Sequence, residues 1–62
     1  MIWELYEVWS VDEDGHEDLV DTTKSLKEAR QIAQLNLTEY YVECIIYKED
    51  EAGDLVEIER VK

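Results

Sequence analysis

The sequence predicts an α+β fold of order ββαββ: a four-stranded antiparallel sheet in spatial order 2-1-3-4, with one helix packed on one face. Three observations carry this expectation. Four segments rich in β-branched and aromatic residues punctuate the chain. Two acidic runs, each holding one of its two glycines, separate them pairwise. A single stretch in the middle repeats its apolar residues at helical spacing.

Residues 2–11, Ile-Trp-Glu-Leu-Tyr-Glu-Val-Trp-Ser-Val, contain no Gly or Pro and read as the first strand. Asp14-Gly15 supplies a residue that tolerates the left-handed conformation of a hairpin turn. A short return strand from about Glu17 to Thr22 follows. Ser25-Leu26-Lys27-Glu28 fits a capping box, in which Ser25 accepts from the Glu28 amide and Glu28 reaches back. Leu26, Ala29, Ile32, Ala33, Leu37 and Tyr40 form one apolar stripe, so the helix is expected from about Leu26 to Thr38. Residues 41–48, Tyr-Val-Glu-Cys-Ile-Ile-Tyr-Lys, are apolar on both faces and read as a central strand. Ala52-Gly53-Asp54 marks a second hairpin, and Leu55 to Val61 alternate as a half-buried fourth strand.

The first and third strands are apolar on both faces, whereas the second is short and the fourth charged. The weak strands therefore belong at the edges, where charge discourages aggregation. This order sets the two acidic tips at opposite ends of the sheet. Alternation places Tyr6, Val8, Val42, Cys44, Ile46, Val56 and Ile58 under the helix. It places Trp3, Leu5, Trp9, Tyr41, Ile45 and Tyr47 on the open face, interleaved with Glu7, Glu43, Glu57 and Glu59.

Sixty-two residues suit one domain, 1–62. A chain this short buries only about 60% of its unfolded surface, so its stability margin is a few kcal/mol. Seventeen acids against six Lys and Arg give a net charge of −11, which repels nucleic acid and anionic membranes and attracts basic partners. The lone Cys44 allows no internal disulfide, and Met1-Ile2-Trp3-Glu4 lacks the basic and apolar segments of a signal peptide. The expected location is the cytoplasm.

No catalytic constellation stands above background, and no cofactor is expected. A calcium reading of the first acidic run fails on spacing: Asp12 and Asp14 fit the first two ligand positions of an EF-hand loop, but His16 and Thr23 occupy later ones. Cys44 under the helix and His16 in a turn are too far apart in the fold for a nucleophilic pair. Half of the basic residues, Lys24, Lys27 and Arg30, gather at the helix start.

The sequence therefore predicts a small acidic, non-enzymatic protein-binding module. Its expected partner is a basic protein surface, engaged through the tip residues Asp12, Glu13 and Asp14 and an open face of Trp3, Glu7, Trp9, Glu43, Ile45, Tyr47, Glu57 and Glu59. In size and charge, though in no motif, the chain is similar to small phage-encoded inhibitors and nucleic-acid mimics. The alternative is a homodimeric accessory protein that pairs through the open face, its acidity serving solubility alone.

Overall fold

A computed structural model describes residues 5–62. It contains β1 (Tyr6–Asp12), β2 (Glu17–Thr23), α1 (Leu26–Asn36), β3 (Tyr41–Glu49) and β4 (Leu55–Val61). The strands form one antiparallel sheet in the order β2-β1-β3-β4, with the helix against it, as the sequence predicts. Trp3 lies outside the described residues.

The two hairpin tips are the same turn built twice. In Asp12-Glu13-Asp14-Gly15-His16, Oδ1 of Asp12 accepts from the amides of Asp14 and His16, both at 2.9 Å. In Asp50-Glu51-Ala52-Gly53-Asp54, Oδ1 of Asp50 accepts from Ala52 and Asp54 at the same distance. Gly15 and Gly53 adopt φ of 87° and 85°, a left-handed conformation that costs a side chain dearly. Their amides donate back to the carbonyls of Asp12 and Asp50. Two of the clustered acids are thus turn-makers.

Ser25 caps the helix by accepting from the Glu28 amide at 3.4 Å. Glu28 does not close the capping box; its carboxylate instead accepts from the Thr23 hydroxyl at 2.6 Å, fastening α1 to β2. The helix ends at Asn36, two residues short of expectation, because Leu37 turns to extended backbone (φ −75°, ψ 126°). Ala29 and Ala33 face the sheet fully buried, and their small side chains let the helix approach closely. They meet Val8, Cys44, Ile46 and Val61, with Tyr6, Val20, Leu26, Ile32 and Leu37 around them. The Cys44 thiol donates to the Ala33 carbonyl at 3.4 Å and sits 3.7 Å from Oγ of buried Ser10, which satisfies the polar atoms of this core.

Strict alternation fails at three bulges. Val20, Val42 and Ile58 each lack an opposite partner, since the registers jump from Asp21 to Leu19, from Glu43 to Tyr41 and from Glu59 to Glu57. One extra residue moves all that follows to the other face. Hence Val61 and Glu59 come to the helix side, opposite Cys44 and Ile46, although alternation set Glu59 on the open face. Tyr41, also expected on the open face, pairs with Asp12 and points its hydroxyl at Asp18 on the helix side. Val42, Val56 and Ile58 are 45%, 48% and 42% exposed rather than covered. The first and last sit at bulges, and Val56, opposite Lys48, is not part of the buried cluster.

Candidate binding face

The register lays the open face out in three rows across the strands. Leu19, Trp9, Ile45 and Arg60 form the middle row. Thr22, Glu7, Tyr47 and Glu57 form the row on one side, and Glu17, Val11 and Glu43 the row on the other. Six of the expected site residues are therefore brought together: Glu7, Trp9, Glu43, Ile45, Tyr47 and Glu57. Glu59 is not among them.

The aromatics of this face are organised rather than laid bare. Trp9 packs edge-on against Tyr47, with centroids 6.3 Å apart and planes at 90°. The indole Nε1 donates to Glu7 at 3.0 Å, and the Tyr47 hydroxyl donates to Glu17 at 2.9 Å. Burial and the adjacent Glu17 carboxylate push the Tyr47 phenol above its usual range. Ile45 is only 3% exposed although no helix covers it, flanked in its row by Trp9 and Arg60. Both rings are half-buried, and Leu19, 51% exposed, is the most open apolar group on the face among the described residues.

On the open face, charge is cancelled over the β3–β4 half only, while the acids of the β3–β4 tip, Glu49, Asp50, Glu51 and Asp54, pair with no Lys or Arg among the described residues. Arg60 donates to both carboxylate oxygens of Glu57 at 2.9 and 3.0 Å and to Glu43 at 3.0 Å. Lys62 lies 3.4 Å from Glu43. These bonds hold the Glu57 carboxyl below its ordinary range and raise the Arg60 guanidinium above its own. Across the other layer, Arg30 of α1 grips Glu59 at 3.0 to 3.2 Å. The β1–β2 half has no such relief. Among the described residues, no Lys or Arg pairs with Glu7, Glu13, Asp14, Glu17, Asp18 or Asp21.

The hairpin tip is less available than its composition suggests. Asp12 is only 7% exposed; besides the two amides it meets His16 Nδ1 at 3.2 Å and accepts from Tyr40 at 3.4 Å. It is a structural carboxylate rather than a displayed one, which corrects its place in the expected surface. Glu13 and Asp14 remain exposed. Asp12, Asp14 and His16 bring ligand atoms within 4.8 Å of one another. The acceptor capacity of Asp12 is already spent on the turn, so the trio reads as a folded tip. Beside it Tyr40 and Tyr41 stack edge-to-face at 4.7 Å. The Asp12 charge is the main cause raising the Tyr40 phenol, and burial the main cause raising that of Tyr41.

Glu17, Leu19 and Arg60 were not singled out from the sequence, yet they complete the face. The signal that finds Glu17 is its cross-strand place opposite Val11, fixed by the hairpin turn. Compared with known proteins, the chain matches no family model, no curated protein and no solved structure. Among the described residues no helix is long and apolar enough to cross a membrane.

Proposed function

We propose that this protein is a small, non-enzymatic binding module of the cytoplasm that engages a basic protein surface through the β1–β2 half of its open face. The observation that carries the reading is the uneven cancellation of charge. Glu43 and Glu57 are occupied by Arg60, whereas Glu7 and Glu17 carry their charge uncompensated while orienting Trp9 and Tyr47. A guanidinium or ammonium group finds there both carboxylate acceptors and aromatic surface. Exposed Leu19 adds an apolar contact beside them.

Basic surfaces that match such a face are often those that hold phosphate backbones, so occupation by this protein would exclude nucleic acid from them. Inhibition by mimicry is the form of binding this supports best. The non-enzymatic reading is supported by the placement of the two most reactive side chains: Cys44 is buried against Ala33, and His16 is turned onto Asp12 in the hairpin tip.

The test is an NMR titration with an arginine-rich peptide. The Trp9 indole and the amides around Glu7, Glu17 and Leu19 are expected to shift saturably. Glu7→Gln with Glu17→Gln is expected to weaken binding by about tenfold or more, whereas Glu43→Gln is expected to weaken it little. Uniform, unsaturable shifts at every acidic residue would overturn the reading.

A further inference from the structure

The register sets an apolar row between two acidic ones. Leu19 and Trp9 lie side by side in the middle row of the open face, followed by Ile45. Glu7 stands in the row on one flank and Glu17 in the row on the other. Among the described residues neither pairs with a Lys or Arg, so two uncompensated carboxylates bracket the apolar row instead of clustering. Glu7 and Val11, the partner of Glu17, are four residues apart on β1, which is about 13 Å along the strand. Tyr47 belongs to the Glu7 row, yet its hydroxyl reaches Glu17. Its ring therefore crosses the middle row and joins Trp9 and the half-exposed Leu19 in the floor between the acids.

We propose that the partner contributes a basic amphipathic helix, laid across the strands along the Leu19–Trp9 row, an inference that rests on the binding face proposed above. A helix with its side chains is about 10–12 Å across, which matches the spacing of the flanking acids. Its apolar stripe meets Leu19 and the two rings, and Lys or Arg on either side of that stripe reach Glu7 and Glu17 together. Over β4 the flanking acids Glu43 and Glu57 are taken by Arg60, so the contact centres on β1 and β2. An extended segment laid on the same face would leave its backbone donors and acceptors unpaired against it. One added to the β2 edge would meet a ladder broken by the bulge at Val20. A helix satisfies its own backbone and avoids both costs. A second copy docked face to face would add carboxylates where cations fit.

Two leucine–lysine peptides of about 14 residues and identical composition test it, one with its leucines at helical spacing and one with leucine and lysine alternating. In NMR titrations the helical-pattern peptide is expected to bind about tenfold more tightly and to shift the Leu19 and Trp9 signals saturably. It is also expected to gain helical circular dichroism on binding. Leu19→Ala is expected to weaken that binding by about threefold or more, whereas Val56→Ala, 48% exposed but outside this face, is expected to leave it unchanged. Equal affinities, or tighter binding of the alternating peptide, would overturn the helix while leaving the basic-partner reading standing. Absence of saturable shifts with either peptide would overturn both.

Discussion

Trp9 stands perpendicular to Tyr47, and the polar end of each ring is held by a different glutamate, Glu7 for the indole and Glu17 for the phenol. The pair spans the two central strands and draws in a third through Glu17 of β2. An aromatic contact of this geometry contributes about 0.5–1.5 kcal/mol beyond area burial.

Glu17→Gln removes the nearest charge from the Tyr47 phenol. Burial is the larger cause of its elevation, so the apparent pKa is expected to fall only part of the way toward an ordinary tyrosine. Phenolate absorbance during an alkaline titration, read against Tyr47→Phe to identify the signal, checks this. No change in the Tyr47 titration would show that the bond to Glu17 is not made.

Among the described residues Ile46 is the largest fully buried side chain, packed in one cluster with Ala29 and Ala33. Ile46→Ala is expected to cost about 2–5 kcal/mol, comparable to the whole margin of so short a chain. Urea unfolding followed by circular dichroism is expected to find the variant largely unfolded without denaturant. In the parent protein, the Cys44 thiol is expected to react with a thiol reagent only as fast as the fold opens.

The Asp12 carboxyl is held below its ordinary range, first by the His16 amide and then by the Asp14 amide and the His16 ring. A depressed folded value means that ionised Asp12 stabilises the fold above the pH where a free aspartate titrates. That contribution disappears as pH falls through the folded value. Asp12→Asn is therefore expected to melt below the parent at neutral pH, with the gap closing in acid. A gap independent of pH would assign the loss to shape alone.

Gly15 meets no atom within 4 Å of the position a Cβ would take, so any penalty there belongs to the backbone. Gly15→Ala is expected to cost about 1–2 kcal/mol through its positive φ. Gly15→Asn is expected to cost less, since asparagine tolerates that conformation. Thermal melts of the two variants rank them; equal losses would point to a lost contact instead.

Much of the architecture was legible in the residues. Asp14-Gly15 and Ala52-Gly53 marked both turns, Ser25 marked the helix start, and apolar residues on both faces of β1 and β3 placed those strands centrally. The bulges at Val20, Val42 and Ile58 were not legible. Each shows only in the cross-strand register, and no local composition announces it. Their effects spread to residues of unambiguous type: Glu59 crossed to Arg30, Tyr41 to Asp18, and Val61 into the core. Net charge was plain from composition, but which acids are cancelled depended on where Arg60 and Arg30 reach. The tips shared a pattern, Asp-Glu-x-Gly, whose structural use of Asp12 and Asp50 emerges only from their bonds to the amides.

Cancelling charge on one half of the open face and leaving it on the other makes the field above that face uneven. In the field of a cationic surface such a body feels a torque before it touches anything. It would arrive with the β1–β2 side of the open face turned ahead of the Arg60 side, so that a larger share of diffusional encounters is productive. Added salt would then slow association by erasing that orientation, while the lifetime of the complex once formed would change far less.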